Sequence, residues 1–357
     1  MRAVVIAEYG GSLQATRRPV PWPGPGEVLV RVRASGLCST DLHLLSGRQP
    51  LGELPRIVGH ELAGDVVELG AGVAGWRTGD RVTAAIDVTC GRCRHCLAGD
   101  TQLCRSMKRI GFERDGGHAD YVAVPAANLV ALDDTISYEA AAILPDAVAC
   151  MYHSLIHKGA VGIAQRVLIL GVGGLGIHGV QIARCAGAEV MATSRQAQRL
   201  ELAERYGAIG VNPAQESLEA AVARFTGGEG VDVVVDNVGN RASVLEGLKL
   251  LRPGGKFLVV AYLDETFEVP SIPLFKTELE IIGCRGSTRQ DLIDVVRLVK
   301  AGKLTPILGA SYALEQIGEA AARLESGDLV GRIWLTRDCR PVCILASDGG
   351  TVMAGET

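Results

Sequence analysis

Gly171, Gly173 and Gly176 form a G-x-G-x-x-G run between an apolar stretch, Val167-Leu168-Ile169-Leu170, and a helix-like stretch from Leu175 to Ala186. This placement limits the chain to a small set of folds. A glycine corner between a buried strand and a helix is the phosphate-binding turn of a βαβ unit. Its first glycine makes the tight turn, its second lets a pyrophosphate approach the backbone, and its third lets helix and strand pack closely. The helix N-terminus, with Gly174 and Leu175 leading into it, then faces the phosphates. Glycines alone carry little weight; the strand-turn-helix context makes the pattern specific for a dinucleotide.

After about residue 147, helix-like stretches alternate with apolar strands at 166–170, 189–193, 231–235, 256–260 and 279–282. Strands this apolar are buried on both faces, so the fold class is α/β with a doubly wound parallel sheet. An amphipathic helix from Gln290 to Ala301, a β segment near Ser311 and a last apolar strand from Gly331 to Leu335 follow. The residues before about 145 read differently. Short β-rich runs broken by Pro and Gly, among them Val28 to Val32, Gly64 to Leu69 and Arg81 to Ala84, predict an irregular, barrel-like β domain. Residues 338–357 have no periodicity and read as a tail.

A chain of 357 residues with 48% hydrophobic content is long enough for two domains with separate cores. Its net charge of −4 points to neither nucleic acid nor an anionic membrane surface. The opening MRAVVIAEYGG reads as a strand rather than a signal peptide, and no apolar run reaches the length of a membrane span. Ten cysteines without an export signal predict a reducing, cytoplasmic setting.

Four of those cysteines, Cys90, Cys93, Cys96 and Cys104, fall in a C-x2-C-x2-C-x7-C run. Thiolates at this spacing on a turning loop can converge on one tetrahedral zinc, with bonds of about 2.3 Å. Arg92, Arg94, Arg105, Lys108 and Arg109 lie nearby to offset the charge of four thiolates. Such a closed site orders a lobe and leaves no open position for substrate.

The strand after the glycine turn decides the dinucleotide. An NAD site usually ends that strand on Asp or Glu, about 20 residues on, to hold both ribose hydroxyls. Here it ends Met191-Ala192-Thr193-Ser194-Arg195, with no carboxylate. Ser194 can donate to a 2′-phosphate and Arg195 can pair with it, which favours NADP(H) over NAD(H). The other reading leaves Arg195 as a solvent-facing loop cation in an enzyme that uses NAD.

A second constellation lies in the β-rich region: Cys38-Ser39-Thr40-Asp41-Leu42-His43, Gly59-His60-Glu61 and Leu144-Pro145-Asp146. A catalytic zinc takes three protein ligands and keeps a fourth position open, so a thiolate, an imidazole and one further donor would suffice. With these segments, Gly79-Asp80-Arg81-Val82, the cysteine lobe, the glycine turn and Gly331-Arg332, the chain resembles the zinc alcohol dehydrogenases of the medium-chain dehydrogenase/reductase superfamily over roughly residues 1 to 336. The resemblance implies a GroES-like catalytic domain at 1–147, rejoined by 288–337, and a Rossmann coenzyme domain at 148–287. It also implies two Zn2+ per subunit and hydride transfer between nicotinamide C4 and a small-molecule alcohol, aldehyde or ketone.

Carried over by position, Cys38 and His60 match the first two catalytic ligands and Asp146 the third, with Cys150 as its rival. Glu61 matches a carboxylate behind the metal, and Asp41 an acceptor that fixes the tautomer of His60. Thr40 matches the hydroxyl that takes the alcohol proton, and His43 the imidazole that relays it. Arg332 matches an arginine that pairs with the pyrophosphate, whereas Ser39 stands where some relatives carry a basic residue for it.

A polyol or amino-alcohol dehydrogenase of the same superfamily is the main alternative, since polyol enzymes often hold the metal with a carboxylate. A zinc-free quinone or enoyl reductase and a non-catalytic nucleotide-binding module fit the ligand positions poorly. The resemblance also implies a homo-oligomer, tetramer or dimer. The apolar segment Val269-Pro270-Ser271-Ile272-Pro273-Leu274 is where subunits are expected to meet, by strand-edge pairing.

Overall fold

Strand Glu27–Leu37 organises the first part of the molecule, seen in a computed structural model that describes residues 1–261, 263 and 265–337. Its alternation sends Val28, Val30 and Val32 into the core and Arg31 and Arg33 outward. Glu61–Leu69 pairs antiparallel along most of its length, while Tyr121–Pro125 pairs with its start and Arg332–Thr336 with its end. Leu129–Ala131, Arg81–Ala84 and Leu308–Ala313 complete a seven-stranded sheet. A smaller sheet forms from Arg2–Ile6, Gln14–Arg17 and Arg56–Ile57. Its core includes a cluster of Val28, Val30, Leu62, Val66, Val82 and Leu129, another of Val4, Ile6, Leu37, Leu44, Ile317, Ile333 and Leu335, and a smaller one of Ala3, Val5, Ile57 and Ala119.

The second unit is a parallel six-stranded sheet in the order Ala208–Val211, Glu189–Thr193, Arg166–Leu170, Val231–Asp236, Leu251–Val259, Glu280–Gly283. Numbered along the chain this is 3-2-1-4-5-6, the Rossmann order, whose direction reverses between Arg166–Leu170 and Val231–Asp236. Leu168, Leu170, Val231, Val234 and Phe257 are buried in its core. The fold is thus α/β, a GroES-like β unit and a Rossmann unit.

Among the described residues the units comprise Met1–Pro145, Thr288–Val296 and 308–337, and Asp146–Ser287 with Arg297–Ile307. The returning segment therefore divides instead of rejoining the first unit as a whole. Its middle is tied to the second unit: Gln181 Nε2 donates to Thr305 O at 2.9 Å, Thr305 N–H donates to Gln181 Oε1 at 2.8 Å, and Ile307 N–H donates to His178 Nε2 at 2.9 Å. The segment expected to pair as a strand edge is also different. Ser271–Thr277 is a helix without a buried residue, with Ile272 and Phe275 exposed, and the sheet edge is Glu280–Gly283. The expected tail, 338–357, lies outside the described residues.

Candidate active site

Register brings the first two expected metal ligands together. Gly36 is the partner of Glu61 in the antiparallel pair, so Cys38, two residues beyond Gly36, comes level with the residues before Glu61, where His60 lies. Glycine at 36 is required by that approach, because a Cβ there would fall 1.8 Å from Glu61 Oε2. Cys38 also precedes helix Ser39–Leu45, and Asp41 in its first turn reaches back so that Oδ2 accepts the Cys38 backbone N–H at 2.9 Å. Asp41 Oδ1 lies 3.7 Å from His60 Nδ1.

Asp146 follows Pro145 directly, in a π-helical stretch, Leu144–Val148, of the kind often found at functional positions. Ligand atoms of Cys38, His60 and Asp146 all lie within 4.8 Å of one another. Cys150 is buried and stands outside every cluster of metal-type donors among the described residues. One thiolate, one imidazole and one carboxylate form a donor set suited to zinc with an open position.

Thr40 Oγ1 is 3.5 Å from Cys38 Sγ. His43, one helical turn after Thr40, is half-buried; burial, and next the charge of Arg48, push its imidazole toward the neutral form. Glu61 and Arg332 form a buried ion pair at 2.8 Å.

The four lobe cysteines lie between the paired strands Asp87–Val88 and Lys108–Arg109, and their sulfurs also fall within 4.8 Å of one another. Cys93 Sγ is 3.5 Å and Cys90 Sγ 4.0 Å from Cys96 Sγ. A tetrahedral zinc with bonds of about 2.3 Å sets its donors roughly 3.8 Å apart, between those two values. The Cys96 backbone N–H favours thiolate at Cys93, whose thiol is drawn down to about 6.

In the second unit Gly171 has φ +85°, and a Cβ on Gly176 would fall 2.2 Å from Gly171 O, whereas Gly173 opens onto free space. The turn is therefore tight where helix meets strand and open where a phosphate would lie. Gly174 O accepts from His178 Nδ1 at 2.7 Å, and Leu175 is the residue before helix Gly176–Cys185. Because His178 Nε2 accepts from Ile307 N–H, its ring proton sits on Nδ1. Ser194 is buried, its Oγ accepting the Gln196 backbone N–H at 3.1 Å, while Arg195 is exposed.

Two residues escape sequence reasoning. Asn237 follows Val231–Asp236 at the point where strand order reverses, and both polar atoms of its amide are buried without a hydrogen-bond partner. Its Nδ2 lies 3.5 Å from where a Gly176 Cβ would be. His118, fully buried, joins Ser35 Oγ at 2.9 Å and faces Asp41 Oδ2 at 3.7 Å. For Asn237 the only local signal is its position at a strand end, and for His118 there is none.

A Rossmann unit with a glycine-rich turn and a GroES-like unit carrying metal-type donors are the framework of an oxidoreductase. Residues 24–134 match the alcohol dehydrogenase GroES-like domain, and 174–301 match the zinc-binding dehydrogenase domain. The chain is 35% identical to an alcohol dehydrogenase of Geobacillus stearothermophilus, covering 95% of this chain and 100% of that one. It is 34% identical to an L-threonine 3-dehydrogenase of Symbiobacterium thermophilum, with 95% and 99% covered. A crystal structure of a zinc-binding dehydrogenase from Sinorhizobium meliloti bound to NADP superposes with a TM-score of 0.86 at 31% identity, covering 94% of this chain and 98% of that one. The chain belongs to the zinc-type alcohol dehydrogenase family of the medium-chain dehydrogenase/reductase superfamily. No helix among the described residues is long and apolar enough to cross a membrane.

Proposed function

We propose that this protein is a zinc-dependent dehydrogenase that interconverts a small alcohol and its aldehyde or ketone with NADP(H) preferred over NAD(H). The observation that carries the reading is the convergence of Cys38, His60 and Asp146. Zinc on these donors would supply Lewis acidity toward the substrate oxygen, and a nicotinamide would supply or accept the hydride. A second zinc, held by Cys90, Cys93, Cys96 and Cys104, would order the lobe.

The chain's own groups divide the remaining work. Thr40, with its hydroxyl beside Cys38, takes the alcohol proton. His43, one turn along the same helix, passes it outward; its tilt toward the neutral form leaves it able to accept. Gly171, Gly173, Gly174, Leu175 and Gly176 cradle the pyrophosphate, and the unpartnered amide of Asn237 hydrogen-bonds the coenzyme at the same corner. Ser194 and Arg195 face the adenosine ribose, where the missing carboxylate favours a 2′-phosphate. Arg332 reaches the pyrophosphate only by leaving Glu61, so its pairing role belongs first to that carboxylate.

Elemental metal analysis of the purified protein, read beside initial rates with NADP and NAD over a panel of alcohols, polyols, amino alcohols and aldehydes, tests the reading. About two zincs per chain with NADP-preferring activity is the expected result. One zinc or none with full activity overturns it. The threonine dehydrogenase relative supports an amino-alcohol substrate as the second reading, which the same panel separates.

A further inference from the structure

We infer that His118 is a positioning residue of the Cys38 and His60 metal centre, presenting its Nε2–H to Asp41 so that this one carboxylate holds both ligands in place. The inference rests on the metal reading above. Its support is a run of polar contacts that begins at a guanidinium and ends at the Asp41 carboxylate.

Arg337 Nη2 is 3.1 Å from Ser35 Oγ. A guanidinium only donates, so Ser35 Oγ accepts there; among the described residues its hydrogen then has one acceptor, His118 Nδ1 at 2.9 Å, and the opposite tautomer would turn an Nε2 lone pair on the Asp41 carboxylate. An Nδ1 that accepts places the ring proton on Nε2, which faces Asp41 Oδ2 at 3.7 Å. Asp41 Oδ2 also receives the Cys38 backbone N–H at 2.9 Å, and Oδ1 faces His60 Nδ1 at 3.7 Å. A proton on His60 Nδ1 leaves Nε2 as the metal-binding nitrogen.

Asp41 and His118 are both fully buried, and neither Asp41 Oδ1 nor His118 Nε2 has a partner within hydrogen-bonding distance. At 3.7 Å the two imidazole contacts are longer than hydrogen bonds and act as charge–dipole contacts, which a small closure around a bound metal would convert. Burial pushes His118 toward its neutral form, so its contribution is an N–H dipole rather than a full charge. The ring rests on the residue before the metal ligand: a Cβ on Gly59 would fall 2.5 Å from His118 Cγ. A residue that only filled the core would need neither this donor order nor this seat beside His60.

The test compares full-length wild type, His118→Phe, His118→Gln and Ser35→Ala, each loaded with zinc and competed against a chromophoric chelator. Thermal melting and the visible spectrum of the cobalt-substituted proteins are recorded alongside. His118→Phe is expected to weaken one of the two zincs by about 10–100-fold and shift the cobalt bands. Glutamine, which keeps an N–H in reach of Asp41, restores most of the affinity. Ser35→Ala, a change of one oxygen that keeps the test open if phenylalanine does not fold, gives a smaller loss at the same zinc. Unchanged zinc affinity in His118→Phe, or phenylalanine and glutamine falling together with the melting temperature, overturns the inference. A wild type that holds one zinc and keeps it in Cys38→Ser overturns the metal reading itself.

Discussion

Arg332 clasps Glu61 through two parallel contacts, Nη2 to Oε1 at 2.8 Å and Nε to Oε2 at 3.1 Å, with both side chains almost removed from solvent. Removing one member of a buried pair leaves the other as an uncompensated charge, which costs about 3–5 kcal/mol. Arg332→Ala is therefore expected to lower the urea midpoint sharply, and Glu61→Gln added to it should recover much of the loss. An unchanged midpoint in the single variant would mean that the pair does not hold the last strand in place.

The two cysteine sets separate by what their loss changes. Cys38→Ser should remove one zinc and nearly all turnover while leaving the melting temperature close to wild type. Elemental analysis beside a melting curve checks this, and full activity in Cys38→Ser would sink the catalytic-metal assignment.

For the lobe the pattern reverses. Cys93→Ser should remove the other zinc and lower the melting temperature or the soluble yield, because the thiolates order the loop between Asp87–Val88 and Lys108–Arg109 only with a metal among them. A wild-type melt and full zinc content would count against a structural knot.

Arg195 is exposed, beside a Ser194 hydroxyl that already accepts from Gln196. A hydrogen bond to a charged group contributes about 1.5–3 kcal/mol, or roughly 10–100-fold in affinity. Arg195→Ala should raise the NADP Michaelis constant by about that factor and leave NAD nearly unaffected. Equal effects on both coenzymes would remove the 2′-phosphate argument.

Asp65 gives the β unit a component of acid sensitivity. Burial alone would raise its carboxyl, but the Tyr138 hydroxyl and the guanidiniums of Arg33, at 2.6 Å, and Arg31 outweigh it and lower it. A carboxyl lowered on folding contributes its full stability above the ordinary value of 3.8 and loses it as pH falls below that toward the folded value. Asp65→Asn should reduce stability at pH 7 and flatten its decline on the acid side below about pH 4. Chemical denaturation from pH 7 down to pH 3 measures the slope, and parallel curves would exclude the contribution.

Local pattern made most of the fold legible. Arg166–Leu170 and Glu189–Thr193 are strands with the bounds their apolar runs suggest, because strands buried on both faces have little else they can be. Ala208–Val211 gives no such signal, being a four-residue edge strand with Ile209 half exposed and a glycine in the middle. The run from Val269 to Leu274 is apolar without being buried, so its composition suggests a strand while Ser271–Thr277 winds into a helix. Within the site, Cys38 and Asp41 are three residues apart and their link is a local helix-start pattern. His118 and Ser35 are 83 residues apart, joined by tertiary packing that no window along the sequence contains.

The Glu61–Arg332 pair also sets a timetable. Its members are 271 residues apart, so at a synthesis rate of about 5–20 residues per second the ribosome needs roughly 14–54 s between making one and the other. Throughout that interval Glu61 lacks the guanidinium, and strand Glu27–Leu37, on which Glu61–Leu69 pairs, lacks its other neighbour Arg332–Thr336. The Rossmann unit, drawn from residues 146–287 and 297–307, has been synthesised by then. The half of the protein begun first is thus the half finished last, and a chain halted before residue 332 would hold every residue of the Rossmann unit while the first unit still lacked its closing strand.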